Sequence, residues 1–345
     1  MRFVSSAGNR AWKLLILPTR GSSIHRPPRH VEPWIGSESD REICHMMIRR
    51  IPLMCIALFA AANLFAQEAA IGKAMQVTHS YNLDLVPSPD GSRDVMITIV
   101  AGREQLFLRK AGTDHWVQLT DEDADHEDPA WSPDGRSLAF VLTIDTSRVV
   151  YVMDLQDRSR KAVTPPHVRA IHPSWTSDGR KILFSTDDDL RPPAKNTSDI
   201  YAVDVSSLAI DTLITGGVNT FPVMSPDGSR IAFRRIVGET NSEVFVANAD
   251  GSDPRNLTDH AAYEGWPAWS PDGRMIAFAA NRNGVDHQVF VMKADGSEVK
   301  LLADTKGRGT SPKWAPDGRS IYFTNCWQQG RGVGCEIFNA PIGER

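Results

Sequence analysis

Five residues recur at equivalent places along the chain yet differ in chemistry: Asp128, His172, Phe221, Trp266 and Ser311. Each immediately precedes a proline, namely Pro129, Pro173, Pro222, Pro267 and Pro312. An acid, an imidazole, two aromatic rings and a hydroxyl gathered around one opening would hold a sugar ring or an apolar side chain of a partner. His172 with Asp128 would alternatively serve as the proton-transferring pair of a lyase. The acidic run Asp121 to Asp128 is the best metal candidate, since calcium needs several converging oxygens. Its spacing is not that of an EF-hand loop, and it reads as a solvated acidic loop. No G-x-S-x-G, H-E-x-x-H or C-x-x-C motif occurs, and the ten histidines are scattered. No catalytic residue, metal ligand or cofactor is therefore assigned. Cys326 and Cys335 flank a Gly-rich loop and are expected to form a disulfide across a hairpin in an oxidising compartment.

The elements that must position these residues come from a repeat. Six Asp-Gly pairs begin at Asp90, Asp134, Asp178, Asp227, Asp272 and Asp317, at spacings of 44, 44, 49, 45 and 45 residues. The strings around them, such as PAWSPDGRSLAF and PAWSPDGRMIAF, are copies of one unit. A period in the forties with strand-like patterning indicates propeller blades. Within the copy from Trp266 to Thr305, a short inner strand, a Ser-Pro-Asp-Gly turn and a second strand bearing Ile276 and Phe278 come first. A third strand and the beginning of an outer strand at Leu301-Leu302 follow. The expected fold is all-β, a six-bladed propeller of four-stranded antiparallel blades. Trp131, Trp175, Trp269 and Trp314, with the repeated Phe residues, are read as packing one blade on the next. In a ring of this kind the inner strands surround a channel. The loops entering them, which end at the five residues named above and at Asp84 and Leu85 in the first copy, are expected to line its mouth.

Two irregularities stand out. The last copy ends after its third strand, whereas Met75-Gln76-Val77-Thr78 carries the Leu-Thr-like signature of an outer strand. This N-terminal segment is expected to complete the last blade and close the ring. In the first copy Asp94 and Met96 stand where the other copies have an apolar pair, while Val95, Ile97 and Ile99 alternate one step out of phase. A one-residue bulge near Arg93 would restore the pattern.

Residues 1–45 read as a non-native or disordered extension, and residues 46–66 as a signal peptide. Arg49-Arg50 precedes the apolar stretch Ile51 to Phe65, with cleavage expected after Ala66. That stretch is too short to span a bilayer comfortably. The propeller domain then covers 67–345 and retains 29 basic and 38 acidic residues, a net charge of −9. Such an acidic body repels phosphate backbones and argues against nucleic acid as a partner.

The P-x-W-S-P-D-G-x-x-I-A-F pattern, followed by the VFVMKADG strand and turn and a Leu-Thr strand, resembles the TolB propeller family over about residues 75 to 345. The α/β domain that precedes the propeller in TolB is not expected here, since only Gln67 to Ala74 separate the expected cleavage point from the first strand. The resemblance implies a non-enzymatic, exported, monomeric propeller in the periplasm or secreted. It would bind an envelope protein or a small ligand or glycan at its central face, with no membrane span after signal cleavage. Related blades also occur in polysaccharide lyases and in the gating domains of peptidases, so a carbohydrate-active or substrate-gating role is the alternative reading.

Overall fold

Each repeat sets short runs of β-branched and aromatic residues between Asp-Gly turns, and such runs are stable as strands once neighbours cover both faces. The computed structural model describes residues 75–76, 82–186, 197–282, 284, 286–303, 307–329 and 332–343, all within the compact unit Ala62–Arg345. The extension 1–45, the signal peptide 46–66 and the cleavage point after Ala66 lie outside the described residues.

The described residues form six four-stranded antiparallel sheets, the blades of a six-bladed propeller. After β1 (Met75–Gln76), blade I consists of β2 (Asn82–Pro87), β3 (Arg93–Val100), β4 (Arg103–Lys110) and β5 (Trp116–Gln118). Blade II consists of β6 (Asp125–Trp131), β7 (Ser137–Ile144), β8 (Ser147–Asp154) and β9 (Arg160–Ala162). Blade III consists of β10 (Ala170–Trp175), β11 (Lys181–Thr186), β12 (Ile200–Asp204) and β13 (Ile210–Ile214). Blade IV consists of β14 (Val218–Met224), β15 (Arg230–Gly238), β16 (Asn241–Asn248) and β17 (Arg255–Asn256). Blade V consists of β18 (Glu264–Trp269), β19 (Met275–Ala280), β20 (Gln288–Lys293) and β21 (Lys300–Ala303). Blade VI holds β22 (Arg308–Trp314), β23 (Ser320–Gln329) and β24 (Gly332–Pro341), and its fourth strand is β1. Met75 pairs with Asn339 and Gln76 with Phe338, so the N-terminal segment closes the ring as its sequence implied.

Three side-chain devices hold the blades. Phe140, Phe184, Phe233, Phe278 and Phe323 are fully enclosed. The indole N–H of Trp131 donates to the Val86 carbonyl of the preceding blade, 2.9 Å away. Trp175, Trp269 and Trp314 donate in the same way to Ala130, Val223 and Ala268. The threonine of the Leu-Thr pair lies just past the short outer strand, where its hydroxyl accepts a third-strand N–H. Thr120 accepts from Leu106, Thr164 from Val150 and Thr258 from Val244, at 2.9–3.0 Å. The side chain thus continues a ladder that the backbone has left. Cys326 and Cys335 are disulfide-bonded across the β23–β24 hairpin, with Cα atoms 4.1 Å apart.

The bulge expected near Arg93 is absent. β3 pairs with β4 without interruption, from Arg93 opposite Lys110 to Val100 opposite Arg103. The alternation misled because this strand is enclosed on both faces: Asp94, Val95, Met96 and Ile97 are all buried. Asp94 occupies the place of the aliphatic residue in the other blades, and Arg109 opposite it supplies a buried ion pair at 2.8 Å. The charge is satisfied by a partner and needs no shift of register.

Candidate functional site

The register of every blade does shift, on its inner strand. In blade II, Glu127 pairs with Val141 and Ala130 with Ala139, so Asp128 and Pro129 together oppose the single residue Phe140. The same two-against-one bulge falls at Asp84-Leu85, His172-Pro173, Phe221-Pro222, Trp266-Pro267 and Ser311-Pro312. This accounts for the prolines, which lack a donor and suit a position outside the ladder. In five blades the residue opposite is the enclosed Phe. Blade I has Leu85 for the proline and Met96 for the Phe, and these two pack together with Ile337.

The first residue of each bulge is left-handed. Its φ is 44° at Asp84, 52° at Asp128, 53° at His172, 54° at Phe221, 52° at Trp266 and 52° at Ser311. None of the six is glycine, and a bulky side chain in this region costs about 1–3 kcal/mol. The residues expected at loop ends therefore sit inside the inner strands, on bulges that turn them out of the pleat. All six line one axial cavity of about 620 Å³, which also receives the bulge prolines Pro129, Pro173, Pro222 and Pro267 and, from the Asp-Gly turns at its other end, Pro89, Pro226, Pro271 and Pro316.

The mouth has two unlike walls. Across blades III to V the rings form a shelf: His172 stacks on Phe221 with centroids 3.7 Å apart, and Phe221 meets Trp266 at 5.2 Å. The Nδ1 of His172 lies 3.0 Å from the Ser185 hydroxyl beneath it. Across blades I and II the wall is acidic, with Asp84 and Asp128 on the lining and the charges of Glu127 and, from β4, Glu104 close to them. The His172 backbone N–H donates to Asp128 at 3.2 Å, and that of Asp84 to the Thr324 hydroxyl at 3.1 Å. Burial, then the charges of Asp84 and Glu127, raise Asp128 to about 7. Burial, then the charges of Glu127 and Asp84 among others, raise Glu104 to about 8. Lys313 of blade VI also lines the cavity.

The structure gathers Asp128, His172, Phe221, Trp266 and Ser311 at one mouth. The acidic run divides: Glu122 pairs with Arg160, Asp123 and Asp125 with Arg103, while Asp128 alone of the run lines the channel. Among the described residues no group of three or more His, Cys, Asp or Glu is placed to hold a metal ion. The sequence reading missed Glu104 and Arg234. Arg234 follows the enclosed Phe233, where other blades have Ile97, Val141, Ser185, Ala279 and Thr324. A charge inside a strand covered on both faces was the available signal.

Comparison with known proteins bears on this arrangement. The family described as the TolB beta propeller domain matches residues 71–235 and 193–339. The chain belongs to the TolB β-propeller family. A curated relative, the TolB homolog of Chlorobium luteolum, is 28% identical over 167 residues, 46% of this chain and 36% of that protein. The chain thus matches about a third of that relative's length. Among solved structures, TolB from Acinetobacter baumannii aligns with a TM-score of 0.57 at 18% identity, over 78% of this chain and 63% of that one. An oligogalacturonate lyase from Vibrio parahaemolyticus aligns with a TM-score of 0.53 at 16% identity, over 79% and 94%. At these identities the likeness to solved structures is one of fold. Both a TolB and a lyase share the scaffold of this TolB-like propeller, so function rests on the residues at the mouth.

Proposed function

We propose that this chain is an exported TolB-like propeller of the cell envelope that captures a protein segment or small ligand at the mouth of its channel without transforming it. One observation carries the reading: six non-glycine residues are held left-handed around the opening, each of a different or differently placed chemistry. Backbone strain repeated around a ring is retained where the side chains it projects are used. The aromatic shelf gives a partner apolar contact, and the acidic wall sets its orientation. Export is supported by the apolar stretch Ile51 to Phe65 behind Arg49-Arg50 and by the Cys326–Cys335 disulfide. The wild-type protein and the His172→Ala/Trp266→Ala double variant are to be compared in pull-downs from periplasmic extract. The double variant is expected to lose capture while melting at the wild-type temperature. Capture that survives both changes excludes the mouth as the site.

The second reading, a lyase-like enzyme, draws on Asp128 and Glu104, whose raised proton affinities suit general acid–base work near neutrality. Against it, His172 meets Asp128 through its backbone N–H, and its Nδ1 faces Ser185. Turnover of an oligogalacturonide that disappears in Asp128→Asn would favour the enzyme.

A further inference from the structure

Arg234 is 5% exposed and pairs with no carboxylate among the described residues. Its Nε donates to the Thr220 hydroxyl at 2.8 Å and its Nη1 to the Tyr263 hydroxyl at 3.0 Å, both neutral acceptors. Its guanidinium lies 4.9 Å from the ring centre of Phe221, 5.4 Å from Tyr263 and 5.9 Å from Trp266. Elsewhere the protein pairs its deep arginines with acids, Arg109 with Asp94 and Arg282 with Glu264. A buried cation offset only by hydroxyls and ring faces leaves a positive field directly behind the aromatic shelf. Room for it is made on the next blade, because a Cβ on Gly265 would sit 2.8 Å from the Arg234 Cδ.

Two neighbours extend this field. Arg308 is exposed, lies 5.8 Å above the Trp266 ring and likewise pairs with no carboxylate among the described residues. His287 stands edge-on to Trp266 and Tyr263, with centroids 5.5 and 5.8 Å away. Its Nε2 is enclosed and has no hydrogen-bond partner among the described residues. Burial, then the charges of Arg308 and Arg234, hold this imidazole neutral, down to about 4. A neutral imidazole can donate from Nε2 to an acceptor without adding charge. Across the mouth Asp84, Asp128, Glu104 and Glu127 crowd together so closely that two of them hold their protons, so a further negative charge is disfavoured there and an entering anion is driven toward blades IV to VI.

We propose that this wall is a carboxylate subsite, with Arg308 at its entrance and Arg234 and His287 behind the shelf, for the carboxyl group of a peptide whose apolar side chain rests on Phe221 and Trp266. The inference rests on the binding role proposed above and names its ligand chemistry. Guanidinium groups beside an apolar shelf match a carboxylate next to a hydrocarbon side chain, whereas a uronic acid would carry its carboxylate on a hydroxylated ring.

The test measures saturation-transfer NMR and calorimetric titrations of the full chain with N-acetylphenylalanine, its C-terminal amide and glucuronate. N-acetylphenylalanine is expected to bind saturably near about 1 mM, at least about tenfold tighter than the amide. Arg308→Gln, on an exposed side chain, is expected to remove that preference with unchanged melting, and Arg234→Gln to do so if it folds. Equal binding of acid and amide, no saturation by the acid, or an unaltered preference in Arg308→Gln overturns the subsite. Tighter binding of glucuronate overturns the peptide assignment. Pull-down by the His172→Ala/Trp266→Ala variant reads the broader role separately, so capture that depends on the mouth without carboxylate preference would refute only this subsite.

Discussion

At one end of the channel the left-handed position of each blade is a glycine: Gly91, Gly135, Gly179, Gly228, Gly273 and Gly318, with φ between 67° and 71°. At the other end, a few residues earlier on the same inner strands, it is Asp84, Asp128, His172, Phe221, Trp266 or Ser311. The turns meet the conformational demand with the residue that adopts it freely. Five of them repeat one hydrogen-bonding scheme, seen in blade II where the Ser132 hydroxyl donates to Asp134 and the Asp134 carboxylate accepts the Arg136 N–H, while Ala315 in blade VI leaves only the backbone half. In blades I and IV these donors hold Asp90 and Asp227 down to about 2. The mouth meets the same demand with side chains that resist it, and varies them. A ring that needed only to close could have used glycine at both ends. The difference separates scaffold from proposed site within single strands.

That separation can be broken in order of effect. The scaffold depends on the seam, and removing residues 67–80 deletes β1. Loss of cooperative unfolding, or a melting temperature lower by roughly 10 °C or more, is expected by calorimetry because blade VI is left with an open edge. A truncated chain that melts like the full one contradicts the closure. At a turn, Gly135→Ala forces an L side chain to φ +68° and is expected to lose about 1–2 kcal/mol by denaturant titration. Equal stability would mean that the turns are less constrained than the repeat suggests. On the acidic wall the folded state binds protons more tightly than the unfolded chain, since Asp128 and Glu104 are raised to about 7 and about 8. The destabilising repulsion is absent at low pH, where both are protonated in either state. It grows as pH rises from the ordinary carboxylate range through 7 to 8. Asp128→Asn should raise the melting temperature by a few degrees at pH 8.5 and leave it unchanged near pH 4. A gain that is independent of pH would place its cause elsewhere. The smallest effect belongs to Ser311→Gly, which relieves strain at the mouth and should leave stability equal or slightly higher, the opposite sign to Gly135→Ala.

Much of the scaffold was legible because it repeats. Six Asp-Gly turns at near-constant spacing gave the blade count, and the displaced Leu-Thr signature at Met75 gave the closing strand. The positions of the mouth residues were legible for the same reason, each preceding a proline or, in blade I, Leu85. Their conformation was not. A bulge is a relation between two strands, and the residue that makes it appears in one strand only as a proline at the wrong place for a ladder. Blade I misled because a strand enclosed on both faces carries no alternation to read, and the Asp94–Arg109 pair joins residues fifteen apart. The polarity of the mouth was hidden too. Glu104 and Arg234 lie on a third and a second strand, and only the folded blades bring them close behind the opening lined by Asp128 and Trp266.

Photo-crosslinking in intact cells discriminates the two ends most directly. A benzophenone amino acid is placed at Phe221 in one variant and at Arg180, beside the Gly179 turn, in another. Adducts with a partner are expected from position 221 and not from position 180. Adducts formed at the turn and absent at the mouth would contradict the assignment of the varied, strained end of the channel as the binding site.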